Sequence, residues 1–256
     1  MECPRAALFD LDDTLAPTLQ APEPLMTQRL LELLERMPVA IMTGRDFPRI
    51  QESFLGELAS SPEVEHLYLL VSGASQGYHR NGDEWEQLYT FELGEDDKRT
   101  IRAAIEDSVR ETAILEDLPC YGERYVDKGS MISYAMLGVP LPPGITREWD
   151  PGNAKRGALW RNLVPRLPQF DVVMGGMTAI DIAHRGINKA YGVKWLSERL
   201  GITAVDMLYV GDALYEGGND AAVIPTGIRT RTTSGPQETL SIINELLASC
   251  AEKKTA

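Results

Sequence analysis

The sequence is poor in cysteine, in histidine and in positive charge, and no apolar run in it is long enough to span a bilayer. Its three cysteines, Cys3, Cys120 and Cys250, are far apart and not at metal-ligand spacing, so they are read as free thiols in a reducing compartment. The three histidines, His66, His79 and His184, are too scattered to suggest a zinc site. Basic residues number 25 against 38 acidic ones, a formal net charge of −13. That sign disfavours nucleic acid and anionic membranes as partners, because a phosphate backbone is bound by neutralising Lys and Arg. A small phosphorylated ligand held by a few local cations is not excluded. The opening "MECPRAALFD" lacks the basic segment and long apolar core of a signal peptide. A soluble, cytoplasmic protein is expected. There is no internal repeat and no low-complexity tract.

What is present is an ordinary globular balance, 43% hydrophobic and 25% charged over 256 residues, a length that suits two lobes or a core with an insertion. "RAALFD", "VAIMTGRD" and "HLYLLVSGAS" read as buried strands. Between them "PEPLMTQRLLELLERMP" and "FPRIQESFLGELA" read as helices, which argues for a parallel sheet covered on both faces. "GYHRNGDEWEQLYTF" carries an Asn-Gly hairpin signal. The rhythm then changes to an amphipathic helix over "EDDKRTIRAAIEDSVRETAI", antiparallel strands in "ERYVDKGSMISYAML", a loop rich in Pro and Gly, the helix "NAKRGALWRNLVPRL" and strands in "FDVVMGGMTAIDIAH". The parallel pattern returns with the helix "NKAYGVKWLSERLG", strand "DMLYVGD", short strand "AAVIPTG" and final helix "PQETLSIINELLASC", and the tail "AEKKTA" is expected to fray. The fold class is α/β: a doubly wound, Rossmann-like core over 1–91 and 185–256, interrupted by an α+β cap over 92–184.

The stretch "ALFDLDDTLAP" puts three aspartates in four positions at a strand end, a crowding whose repulsion something must offset. Ligands of open parallel sheets bind at the carboxyl ends of strands. Here those ends supply Asp10, Asp12, Thr43 and Asp212, and Lys189 opens a helix beside them. The set suits phosphoryl transfer assisted by magnesium. Asp10 attacking a phosphate dianion is anion meeting anion, and Mg²⁺ between Asp10, Asp212 and a backbone carbonyl removes that repulsion. Lys189 and the Thr43 hydroxyl hold the non-bridging oxygens. Asp12, two residues past the nucleophile, protonates the leaving oxygen and then deprotonates the hydrolytic water.

In order along the chain, "DLDDT", "MTGR", "NKAYG" and "GDALYEGGND" resemble the motifs of haloacid-dehalogenase-like phosphatases and phosphomutases. The resemblance implies Mg²⁺ on the Asp10 side chain, the Asp12 carbonyl and Asp212, with Asp220 nearby or bound through water. It implies substrate or phosphate contacts from Thr43, Gly44, Arg45 and Lys189. The position of the insertion is similar to the family's larger cap class, and "GGMTAIDIAHRGINK" and the long "GDALYEGGND" loop resemble eukaryotic-type phosphomannomutases, which adds Asp181 as a sugar contact. The chain departs from the mutases where Asp127 and Val139 stand for arginines that hold a second phosphate, with Arg124 and Lys128 only in the neighbourhood. Ala179 replaces a serine, and Asp13 a common glycine.

Plainer explanations compete for each residue. "DLDDT" and Thr43 could cap helices, and Lys189 alone would be a surface lysine. An EF-hand starting at Asp10 fails, because Leu15 and Ala21 occupy its glycine and glutamate positions. "GASQG" matches a serine-hydrolase elbow, but a hairpin and not a helix follows Ser75. Arg156 either contacts substrate from the cap or lies on a solvated helix face. The expectation is a Mg²⁺-dependent phosphatase acting on a small phosphorylated sugar or related metabolite through an aspartyl-phosphate on Asp10. A phosphomannomutase-like mutase is the alternative, and a non-catalytic binding protein stands behind both. The mutase resemblance also suggests a homodimer through the cap.

Overall fold

The computed structural model describes residues 2–116, 118–142, 145 and 149–252. The tail 253–256 and much of the Pro/Gly loop, 143–144 and 146–148, lie outside the described residues. Seven strands form one sheet, in the order β11-β10-β1-β2-β3-β4-β5. They are β1 (Ala6–Phe9), β2 (Val39–Met42), β3 (Leu67–Val71), β4 (Gln76–Asn81), β5 (Glu84–Thr90), β10 (Met207–Gly211) and β11 (Arg229–Thr232). From β11 to β3 every pairing is parallel, while β4 runs antiparallel to β3 and β5 to β4. The Asn-Gly hairpin therefore widens the core sheet at one edge, making it mixed rather than wholly parallel.

Side-chain alternation assigns the two faces of this sheet. Ala7, Phe9, Val39, Ile41, Leu67, Leu69, Leu208 and Val210 pack on one side with helices α1 (Pro24–Leu34) and α6 (Pro236–Glu252). Ala6, Leu8, Ala40, Met42, Tyr68, Leu70, Met207 and Tyr209 pack on the other with α5 (Lys189–Leu200). Both faces being covered, the central strands read as unbroken apolar runs. Their carboxyl ends all point to one edge, where β1 stops at Asp10 and β10 at Asp212.

A second, antiparallel sheet of order β6-β7-β9-β8 stands over that edge. It comprises β6 (Glu123–Asp127), β7 (Met131–Val139), β8 (Phe170–Gly175) and β9 (Ala179–His184). Helices α3 (Glu95–Thr112) and α4 (Ala154–Leu163) cover its outer face around a separate core that includes Ile101, Ile105, Ile132, Leu159, Leu163, Ile180 and Ile182.

Three expectations are corrected. "AAVIPTG" is not a strand: Ala221–Thr226 is a 3-10 turn containing Pro225, closed by Gly227 at φ +80. The strand is the next stretch, "RTRT", an edge strand with alternating exposure and no apolar residue to announce it. In "FPRIQESFLGELA" only α2 (Phe47–Ile50) is α-helical; the chain then widens to a π turn over Gln51–Leu55 and tightens to a 3-10 turn over Gly56–Ser60. Finally, Cys3 and Cys250 are not free thiols. They form a disulfide across a sequence separation of 247, because the segment entering β1 runs beside the last turn of α6. Cys120 is free and exposed. No helix among the described residues is long and apolar enough to cross a membrane.

Candidate active site

The centre of the site is a buried charge cluster. Asp10, Asp212 and Asp220 each present a carboxylate oxygen within 4.8 Å of the others. Asp10 and Asp220 are buried and Asp212 is half-buried. Lys189 Nζ sits among them, donating to Asp10 Oδ1 and Asp220 Oδ1 at 2.6 Å each and to the Tyr209 hydroxyl at 3.1 Å. Tyr209 donates in turn to Asp220, which also accepts from the Ala213 N–H. Three carboxylates against one ammonium leave two negative charges unbalanced when all are ionised. Burial, with Asp220 and Asp212 alongside, pushes Asp10 well above the ordinary carboxylate range despite Lys189. Burial and Asp220 push Asp212 up to about 6. Burial opposes charge on Lys189, but the flanking Asp10 and Asp220 outweigh it and hold its pKa above the usual lysine value. Hard oxygen donors with an uncompensated double negative charge fit a divalent cation such as Mg²⁺.

Local structure aims each group. Asn188 caps α5 by accepting from the Ala190 and Tyr191 N–H groups, so Lys189 begins the helix directly under the strand ends. Gly192 lets that helix approach the sheet, since a Cβ there would lie 2.9 Å from Ala74 Cβ and 3.1 Å from Met42 Cε. Asp13, at φ +55, occupies a left-handed position that aspartate tolerates. Its carboxylate accepts from the Thr18 hydroxyl at 2.6 Å and closes the loop after β1.

Asp12 lies apart from the cluster. It faces the cavity and is gripped by Arg45, whose Nε and Nη2 reach its two oxygens at 3.0 and 2.6 Å. The Thr43 hydroxyl is buried and accepts from the Arg45 N–H at 3.1 Å, leaving its own proton to donate. Gly44, Arg45, Asp181 and Asp212 line one cavity of about 120 Å³ together with Asp10 and Asp12. That is below the usual range for drug-sized ligands, roughly 300 Å³ and above. Arg45, Arg49, Val126 and Val139 also line a second, more open cavity of about 570 Å³. Lys189 and Thr43 lie behind the first cavity: Lys189 lines a smaller adjoining pocket, and Thr43 is almost wholly enclosed.

The roof is the four-stranded sheet. Asp181 on β9 accepts from Ser133 on β7. A Cβ on Gly175 would lie 1.9 Å from Asp181 Oδ2, so only glycine leaves room for that carboxylate. Lys128, at the β6–β7 turn, donates to the Gly44 carbonyl at 2.6 Å and lines the cavity, its pKa lowered by burial. It is the cap cation of the site, and its sequence neighbourhood alone gave no means of aiming it. Asp127 turns away to Lys98 at 2.9 Å, Arg124 binds the Met136 carbonyl, and Val139 does reach the cavity. Arg156 does not lie on a solvated helix face. Buried, it braces the β8–β9 turn through the Gly176 carbonyl and Asn153, because that glycine-rich turn exposes carbonyls that need donors. Sequence also missed Tyr215 and Asn219 of the long loop, which line the cavity, and the bridge from Gly218 to Met174 that ties this loop to the cap.

Ser75 of "GASQG" is enclosed, bonded to the Ser72 carbonyl and the Ser130 hydroxyl, and leads into β4, so it is no nucleophile elbow. The histidines bind local carbonyls of Leu34, Glu65 and Glu92.

A carboxylate triad at parallel strand ends, roofed by an inserted α+β layer, defines a haloacid-dehalogenase-like fold. The chain superposes on a haloacid dehalogenase-like hydrolase from Bacteroides thetaiotaomicron with a TM-score of 0.62, at 14% identity, over 95% of this chain and 99% of that one. An IMP-bound IMP-nucleotidase mutant from Plasmodium falciparum gives a TM-score of 0.75 at 16% identity, over 96% of this chain and 67% of the other. In sequence the chain is phosphomannomutase-like: it is 23% identical to a phosphomannomutase of Spinacia oleracea over 248 residues, 94% of each chain. No family model matches.

Proposed function

We propose that the chain is a Mg²⁺-dependent phosphatase that hydrolyses a small phosphorylated metabolite, a sugar phosphate, by way of an aspartyl-phosphate on Asp10. The observation that carries this is the pairing of two differently housed carboxylates, Asp10 inside the charge cluster and Asp12 two residues on at the cavity wall. Asp10, Asp212 and Asp220 would hold the metal, which when bound offsets the repulsion between carboxylate and phosphate. An Asp10 oxygen forms a bond to phosphorus as the bond to the leaving oxygen breaks, and Asp12 gives that oxygen its proton. Asp12 then takes a proton from water, whose oxygen displaces Asp10 from phosphorus. Residues 92–184 serve as the cap, with Lys128 and Asp181 selecting the leaving group.

The likeness to phosphomannomutases over nine-tenths of both chains favours a second reading, return of the phosphoryl group to a sugar instead of to water. One assay separates the two. Purified protein with Mg²⁺ is given a panel of sugar phosphates, with Asp10→Asn as control, and free phosphate and isomerised sugar phosphate are measured separately. Phosphate release that depends on Mg²⁺ and Asp10 is the expected result. Isomerisation requiring a sugar bisphosphate, with little free phosphate, would establish the mutase.

A further inference from the structure

Arg45 stands in the motif from which a substrate or phosphate contact is expected, yet its guanidinium has nothing left to offer a substrate. Arginine carries five N–H donors. Nε donates to Asp12 Oδ2 at 3.0 Å; Nη2 donates to Asp12 Oδ1 at 2.6 Å and to the Gln20 carbonyl at 3.4 Å. Nη1 donates to that same carbonyl at 3.4 Å and to Ser53 Oγ at 2.7 Å. Ser53 in turn donates to the Arg49 carbonyl, which fixes its lone pairs toward Arg45. The side chain is 4% exposed. All five donors are engaged, and two of them hold Asp12 in a fork.

A second group closes on the same carboxylate. The Leu19 N–H donates to Asp12 Oδ1 at 2.9 Å. It does so from φ +61, a left-handed conformation that costs a leucine roughly 1–2 kcal/mol. Backbone strain of this kind persists only where the surroundings impose it, and here it delivers a third donor to Asp12. A carboxylate has about four acceptor sites. Oδ1 takes two donors and Oδ2 one, so a single site on Oδ2 stays open.

We propose that Arg45, with the strained Leu19 turn, is a positioning device for Asp12 and not a phosphate-binding residue: it holds the carboxylate so that one lone pair of Oδ2 carries the proton in both half-reactions. The assignment rests on the phosphatase reading above, and the test is built to tell the two apart. Wild type, Asp12→Asn, Arg45→Met and the double variant are compared on glucose 6-phosphate, on p-nitrophenyl phosphate and for inhibition by orthovanadate.

If Arg45 acts through Asp12, Arg45→Met lowers kcat on glucose 6-phosphate about 100-fold with KM changed less than about threefold, in the range general acid–base catalysis contributes. The first-turnover rate on p-nitrophenyl phosphate, whose leaving group needs no proton, stays within about threefold of wild type. Vanadate inhibition is unchanged, and the double variant is no worse than Asp12→Asn alone, as expected of two residues acting as one unit. Arg45→Lys, which keeps charge without the fork, recovers part of kcat. Vanadate binding weakened about tenfold or more, or losses that multiply in the double variant, would overturn the proposal while leaving the phosphatase reading intact. If Arg45→Met does not fold, Ser53→Ala loosens the same guanidinium from behind: a several-fold loss in kcat with unchanged vanadate inhibition supports the role, and a change in vanadate inhibition alone contradicts it. Wild type inactive on p-nitrophenyl phosphate and across the whole panel of sugar phosphates would bring down the phosphatase reading and this role together.

Discussion

The two walls of the cavity are built in opposite ways. The core wall is crowded: Asp10, Asp220, Lys189 and Tyr209 are interlocked by short bonds and nearly sealed from solvent, with the half-buried Asp212 beside them. The cap wall is sparse, with Lys128 and Asp181 standing on an antiparallel sheet that has a hydrophobic core of its own. A crowded, preorganised wall suits charge that must be in place before reaction, whereas a sparse wall can be altered without disturbing it. On the proposed function, the difference assigns chemistry and choice of substrate to separate layers.

The largest effect should come from breaking the crowded wall. Asp10→Asn removes the proposed nucleophile, and phosphate release should fall by about 10³-fold or more. If a cap substitution abolished activity as fully, the separation of roles would be wrong.

A second experiment sharpens the core side by pH. Asp212 has a pKa near 6 in the metal-free fold against an ordinary 3.8, so the native state binds more protons than the unfolded chain between those values. Its contribution therefore falls as pH rises from about 4 to about 6, by on the order of 3 kcal/mol. In chelator, Tm should show this decline. Asp212→Asn should lessen it, the remainder belonging to Asp10, and Mg²⁺ should reverse it above pH 6, with Mg²⁺ affinity measured by calorimetry dropping below that pH.

Smaller effects belong to the cap. Lys128→Met should raise KM for sugar phosphates about tenfold and leave kcat within about threefold, because it removes a contact and not a reacting group. Gly175→Ala should act more mildly, raising KM several-fold by pushing Asp181 from its place, while Tm moves by no more than a few degrees. A KM unchanged in both variants would leave the cap wall without a role in selection.

Much of the core could be read from sequence because its signals are local and chemical. Apolar strands covered on both faces stand out as runs, and carboxylates at their ends mark the edge where Asp10, Asp212 and Asp220 gather. What stayed hidden depends on long-range geometry. β11 carries only Arg and Thr, since an edge strand needs no apolar run. Lys128 reads like any turn lysine until its reach to Gly44, 84 positions away in sequence, is seen. Arg156 looks solvated because helical spacing says nothing of the Gly176 carbonyl beneath it. Arg45 stands where its motif places it, and no spacing rule shows that its donors reach Asp12 and Ser53.

The Cys3–Cys250 bond has a consequence for how the molecule comes apart. The seven-stranded sheet is assembled from two stretches of chain, β1 to β5 and β10 to β11, with the cap threaded between them. The bond turns nearly the whole chain into one covalent ring. A single protease cut in the cap opens that ring without dividing it, so the nicked protein should migrate as one species on a non-reducing gel and as two once thiol is added.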